Sequence, residues 1–305
     1  MVNRFNYCDI VWVDLVDPSE DEIKSLIDEF HIHLTVAEEL SSASYKPRSE
    51  LFGDHLYLIL HFPVFKHSHK TESKKQEIDF VIGRNFLITA RYDTIDAIEK
   101  FSKMLEVNAI LNHGETENCT SLVFFGIINE IYRSLDDELS FMTSWISKIE
   151  REIFEGKERE MVAALSNASR NLLNFKNSIN FHKDIFMSTI SLGNKIFDSD
   201  FSHYMEKIID EHQKLKHAVY NQIDSIQELR ETNNSLLSTK QNEIMKILSV
   251  FASIGLPLSI IASLLQIDTI SRPIVGQAND FWILLASLGI IGLIMFIFFK
   301  FKRWL

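Results

Sequence analysis

Two oxygen-bearing side chains, Gln266 and Asp268, flank Ile267 in the stretch SLLQIDTISRPIVGQANDFW, residues 263–282, which joins two apolar runs near the C-terminus. Amide and carboxylate oxygens are the ligands that hard divalent cations take, so their chemistry at such a junction is cation capture. Just upstream, Asn242, Met245, Ser249, Ala252, Leu256, Ser259, Ser263 and Gln266 recur at alternating steps of three and four. On a helix that spacing gathers a largely small or polar stripe on one face. The stripe either lets helices pack closely or lines water.

Other constellations offer less. His61, His67 and His69 resemble a metal cluster, but they stand in a segment rich in Ser, Lys and Glu that reads as a solvated loop. Gly83-Arg84-Asn85 is a turn and not a phosphate cradle, because no helix opens behind it. No Ser/His/Asp or Cys/His set stands out, so nothing argues for an enzyme or an organic cofactor. Cys8 and Cys119 lack the spacing of a disulfide framework or a zinc site and fit a reducing compartment.

The elements that must position these residues begin with two charge-free runs, residues 247–267 and 281–299. At about 1.5 Å per residue the first covers about 30 Å, the thickness of a hydrocarbon core, and the second just suffices. Lys240 and Lys246 precede the first run and Lys300, Lys302 and Arg303 follow the second, whereas the connection carries only Arg272. By the positive-inside rule both termini are expected in the cytoplasm of a multi-pass protein of the plasma or inner membrane. Trp282 and Trp304 mark the two ends of the second span, at headgroup level.

Before the first span, residues 201–246 hold no proline or glycine, and Ile208, Leu215, Ala218, Ile223, Ile226 and Leu229 recur at helical spacing. A helix over 201–265 would be about 100 Å long and needs partners to be stable. Gly255 and Pro257 are expected to bend it.

The rest of the chain reads as water-soluble. The segment from Gln241 onward holds five basic and three acidic residues, so the other 240 residues carry −13 of the chain's net −11. Such an acidic part is a poor nucleic-acid binder, and its charge either attracts cations or serves only solubility. Residues 9–110 alternate strand and helix signals: DIVWVDL, a capped acidic helix start in DPSEDEIKSLIDEF, a strand in HLYLILHFPVF, and a hairpin of IDFVI and FLITARY around Gly83. From about residue 116 the segments are helical. The expected organisation is an α/β domain at 1–115, a helical hairpin region at 116–200, a stalk at 201–246, spans at 247–267 and 281–299 joined by 268–280, and a basic tail at 300–305.

Three stretches resemble a known family, the CorA-type divalent-cation channels with the related zinc transporter ZntB. They are WVDLVDPSEDEI through YLILHFPVF to IDFVIGRNFLITARY; ISKIEREIFEG with SNASRNLLNFKNSINFHKDIF; and NEIMKILSVFASIGLPLSIIASL. The resemblance implies an α/β/α sandwich in the cytoplasm, a long helical stalk and two transmembrane helices, assembled as a funnel-shaped homopentamer in the lipid bilayer. It also implies transport of Mg2+ or a transition metal such as Zn2+, Co2+ or Ni2+. Asn242, Met245, Leu248, Ala252, Leu256 and Ser259 then fall at pore-lining positions, with Met245 and Leu248 at a constriction that excludes water. Acidic residues on the stalk sense the cation in this family; Asp210 and Glu211 are the nearest here, while Lys207 occupies the position of a family aspartate.

The departure is at the entrance. The family's Gly-Met-Asn signature falls on Gln266, Ile267 and Asp268, and the aromatic residue before it on Leu265. Five Asp268 carboxylates around one axis would attract a cation more strongly than a neutral amide ring, and could hold it too tightly for fast passage. The alternative to transport is a non-transporting pentameric membrane scaffold or sensor of the same fold.

Overall fold

A computed structural model describes residues 1–44, 46–63, 75–111, 119–197, 199–265 and 279–302. The chain divides into two compact units, Met1–Arg230 and Glu231–Leu305.

The first unit is built on a six-stranded sheet: β1 (Val2–Tyr7), β2 (Ile10–Val16), β3 (Arg48–Phe52), β4 (His55–Pro63), β5 (Lys75–Ile82) and β6 (Phe86–Arg91). Their spatial order is β1-β2-β6-β5-β4-β3. The β2–β6 pair is parallel and every other pair antiparallel. The expected hairpin closes around Gly83, whose N–H donates to the Phe86 carbonyl at 2.9 Å. The edge strands β1 and β3 have few fully buried residues, and their sequences carry little of the apolar run that marks β4, which is buried along its whole length.

Strand alternation sends two residue sets to opposite faces. On one face Val13, Leu15, Tyr57, Ile59, Val81, Ile88 and Ala90 form a core with α1 (Glu20–Phe30) and α2 (Leu34–Glu39). The start of α1 is set by Ser19, which forms a reciprocal capping box with Glu22. On the other face Trp12 meets Phe101 of α3 (Asp96–Leu111), Phe80 meets Phe124 of α4 (Cys119–Phe154), and Phe62 meets His182. The result is an α/β/α sandwich. The helical stretch that follows is split into α5 (Glu158–Ile179) and α6 (His182–Gly193), with a break at Asn180-Phe181. Next comes α7, one continuous helix over Ser199–Leu265 with Pro257 inside it.

The second unit holds the end of α7 and α8 (Asp280–Phe301). Both contain windows apolar enough to cross a membrane, and only 6% and 0% of those windows are buried within the chain. The core helix of a soluble protein would be mostly buried, so these two surfaces are suited to lipid.

Candidate functional site

The residues expected along a cation path all lie on the last part of α7. At about 100° per residue, Asn242, Met245, Leu248, Ser249, Ala252, Leu256, Ser259 and Ser263 fall within an arc of about 120°. All eight are exposed in the single chain. The opposite side of the helix is the packed one: Val250 is buried, and Ser253, Ile254, Pro257, Leu258, Ile261 and Ala262 are half-buried. On α8 the half-buried residues are Leu284, Ser287, Leu288, Ile291, Gly292, Met295 and Phe299, again one helical face. Gly292 faces α7: a side-chain carbon there would stand 3.5 Å from Leu258 Cδ1, an ordinary van der Waals contact. From Ala252 to Ser263 the stripe is the face that α8 leaves uncovered, whereas residues 241–249 are exposed on every side, Ile244 and Ile247 included.

Two stripe serines bond back to their own helix. Ser249 Oγ donates to the Met245 carbonyl at 2.8 Å, and Ser259 Oγ donates to the Gly255 carbonyl at 2.9 Å. Met245 and Leu248, the two apolar groups expected at the constriction, are 55% and 56% exposed among the described residues. The entrance residues Gln266, Ile267 and Asp268 lie outside the described residues.

Asp210 and Glu211 are exposed on α7. Glu211 pairs with Lys214 at 2.6 Å, and Lys207 lies over the Tyr204 ring at 5.7 Å. Among the described residues no group of three or more His, Cys, Asp and Glu side chains could hold a metal ion. His67 and His69 lie outside the described residues, and His61 is not on a solvated loop. It is buried in β4, and its Nε2 donates to Glu77 Oε2 at 2.8 Å and to the Ser44 carbonyl at 2.9 Å.

A buried polar chain was missed from the sequence because its members are far apart in it. His61 lies beyond the first residue of β3, whose Arg48 pairs with Ile59, so its carbonyl has no strand partner on that side. His182 Nε2 donates to it at 2.8 Å. With its proton on Nε2, His182 accepts at Nδ1 from the Tyr132 hydroxyl at 2.7 Å. The Tyr132 oxygen is then left to accept from His212 Nδ1 at 3.3 Å, on α7. Burial holds the imidazoles neutral, pushing His182 down to about 3 and His212 to about 4. On β5, Asp79 receives the hydroxyls of Tyr57 and Tyr92, and burial beside Glu77 pushes its carboxyl well above the usual carboxylate range.

Comparison with known proteins agrees with this architecture. The family described as CorA-like Mg2+ transporter protein matches residues 8–303. The cobalt/magnesium transport protein CorA of Thermotoga maritima is 22% identical over 300 residues, covering 96% of this chain and 83% of that protein. The protein of the same description from Methanocaldococcus jannaschii is 22% identical over 304 residues, covering 97% and 92%. Among solved structures, the complete CorA magnesium transporter of Methanocaldococcus jannaschii superposes with a TM-score of 0.84 at 21% identity, covering 99% of this chain and 93% of that one. The full-length CmaX protein superposes with a TM-score of 0.74 at 17% identity, covering 97% and 89%. With the α/β/α unit, the long helix and the two apolar helices already in place, the match over almost the whole length makes this chain a member of the CorA-like Mg2+ transporter family.

Proposed function

We propose that five copies of this chain form a membrane channel that passes a divalent metal cation, with both termini in the cytoplasm. The observation that carries this reading is the uncovered stripe of α7, which from Ala252 to Ser263 is largely small or polar while the opposite face is packed. Around a five-fold axis it gives a pore lined by Asn242, Ser249, Ala252, Leu256, Ser259 and Ser263, with Met245 and Leu248 as the apolar constriction. Relatives are named for magnesium and cobalt transport, and these ions, with Zn2+ and Ni2+, are the cargo to test first. Gln266, Ile267 and Asp268 form the entrance in this reading, and Asp210 and Glu211 the regulatory acids.

The test is cation flux into liposomes holding the purified pentamer, with Mg2+, Co2+, Zn2+ and Ni2+ offered in turn. Entry of at least one ion above empty liposomes is expected, with affinity or rate altered by Asp268→Asn and Asp268→Ala. An intact pentamer that admits none of the four ions would leave the scaffold or sensor reading. Conduction indifferent to both substitutions would remove Asp268 from the entrance.

A further inference from the structure

A cavity of about 600 Å³ opens in the first unit where β3 begins, between the sheet edge and helices α5 and α6. Its volume is within the range of small-molecule sites. The two walls differ in charge. The sheet wall brings Lys46, Arg48 and His61; the helical wall brings Asp184 with the apolar surfaces of Phe181 and Ile185. Arg48 is already committed, through ion pairs with Glu39 and Glu50. The cation left for a ligand is Lys46, which is exposed. Asp184 supplies an anion on the facing wall, and Phe181, 53% exposed, supplies an uncovered aromatic face. His61 lines the cavity at the open edge of β4, while its ring is held on the other face of the sheet by Glu77 and the Ser44 carbonyl.

We propose that this cavity binds a small organic zwitterion of the amino-acid type with an aromatic or branched side chain. Its carboxylate pairs with Lys46, its ammonium donates to Asp184, and its side chain lies on Phe181 and Ile185. A ligand carrying one charge would leave the opposite wall unmatched, which is the physical basis of selectivity here. The site is also placed to be felt elsewhere. His61, which lines the cavity, gives its carbonyl to His182, and through Tyr132 the bonds reach His212 on α7. Occupancy should therefore slow amide exchange in α7 around His212.

The experiment is calorimetric titration of the full chain in detergent with L-phenylalanine, with phenylacetate and phenethylamine as half-ligands, and with adenosine monophosphate. Phenylalanine should bind at least about tenfold more tightly than either half-ligand. Lys46→Ala should weaken phenylalanine and phenylacetate but leave phenethylamine unchanged, and Asp184→Asn should do the reverse. The proposal is overturned if phenylalanine does not bind, if phenylacetate binds as well as phenylalanine, if adenosine monophosphate binds in its place, or if neither charge variant changes phenylalanine affinity.

Discussion

Tyr132 gives its hydroxyl proton to His182 Nδ1 at 2.7 Å, and that single bond fixes the direction of every other bond in the chain from His61 to His212. Replacing Tyr132 with Phe keeps the ring and removes the donor to His182 together with the acceptor for His212. Both imidazoles are buried, so the loss should cost about 1–3 kcal/mol for each group left unpaired. Chemical denaturation of the Tyr132→Phe protein measures it, and an unchanged midpoint would exclude this bond pattern.

The same pair sets an acid limit. His182 and His212 titrate at about 3 and about 4 when folded, against an ordinary value of 6.5. Between these values the unfolded chain binds the protons and the folded chain does not, so stability falls as pH drops from 6.5 toward 4 and 3. Each histidine contributes a slope of up to about 1.4 kcal/mol per pH unit. Unfolding free energies of wild type and His212→Gln across this window should diverge, the variant having the shallower slope.

Asp14 and Arg91 join the two parallel strands β2 and β6 from inside the sandwich, at 3.0 Å, with Thr89 Oγ1 donating to the same carboxylate. Both side chains are almost fully buried. Asp14→Ala alone strands a buried guanidinium and should destabilise by about 3–5 kcal/mol. Asp14→Ala with Arg91→Met should be less damaging than Asp14→Ala alone, as measured in a double-mutant cycle.

At the constriction, Leu248→Asn puts an amide where the proposed pore excludes water. A barrier lowered by about 1.4 kcal/mol raises flux about tenfold, and liposome uptake reports it directly. A flux unchanged by Leu248→Asn and by Met245→Asn would move the constriction elsewhere on α7.

Much of this fold could be read in the sequence because its signals are local. The hairpin around Gly83, the Ser19 capping box, the apolar run of β4 and the two spans each need only a window of neighbouring residues. The edge strands β1 and β3 were not legible, since their half-exposed residues dilute the alternating pattern. The break between α5 and α6 was hidden as well, because Asn180-Phe181 is neither Gly nor Pro. His61 looked like part of a solvated cluster with His67 and His69, and only the pairing of β4 with β5 brings Glu77 to its ring. Tyr132, His182 and His212 come from three helices, separated by 50 and 80 positions, and no spacing rule connects them.

The serines of the α7 stripe have a further property. A hydroxyl carries one proton, and Ser249 and Ser259 have each given theirs to a carbonyl of their own helix. What remains on the outward side of each oxygen is lone pairs, so these positions can accept hydrogen bonds but cannot offer one. In a pore lined this way, the hydrogens of a hydrated cation's water shell find partners at every such ring. Around an anion each first-shell water turns one of its two hydrogens inward and has only the other to give, so in the proposed pore these oxygens would favour a hydrated cation along the wall.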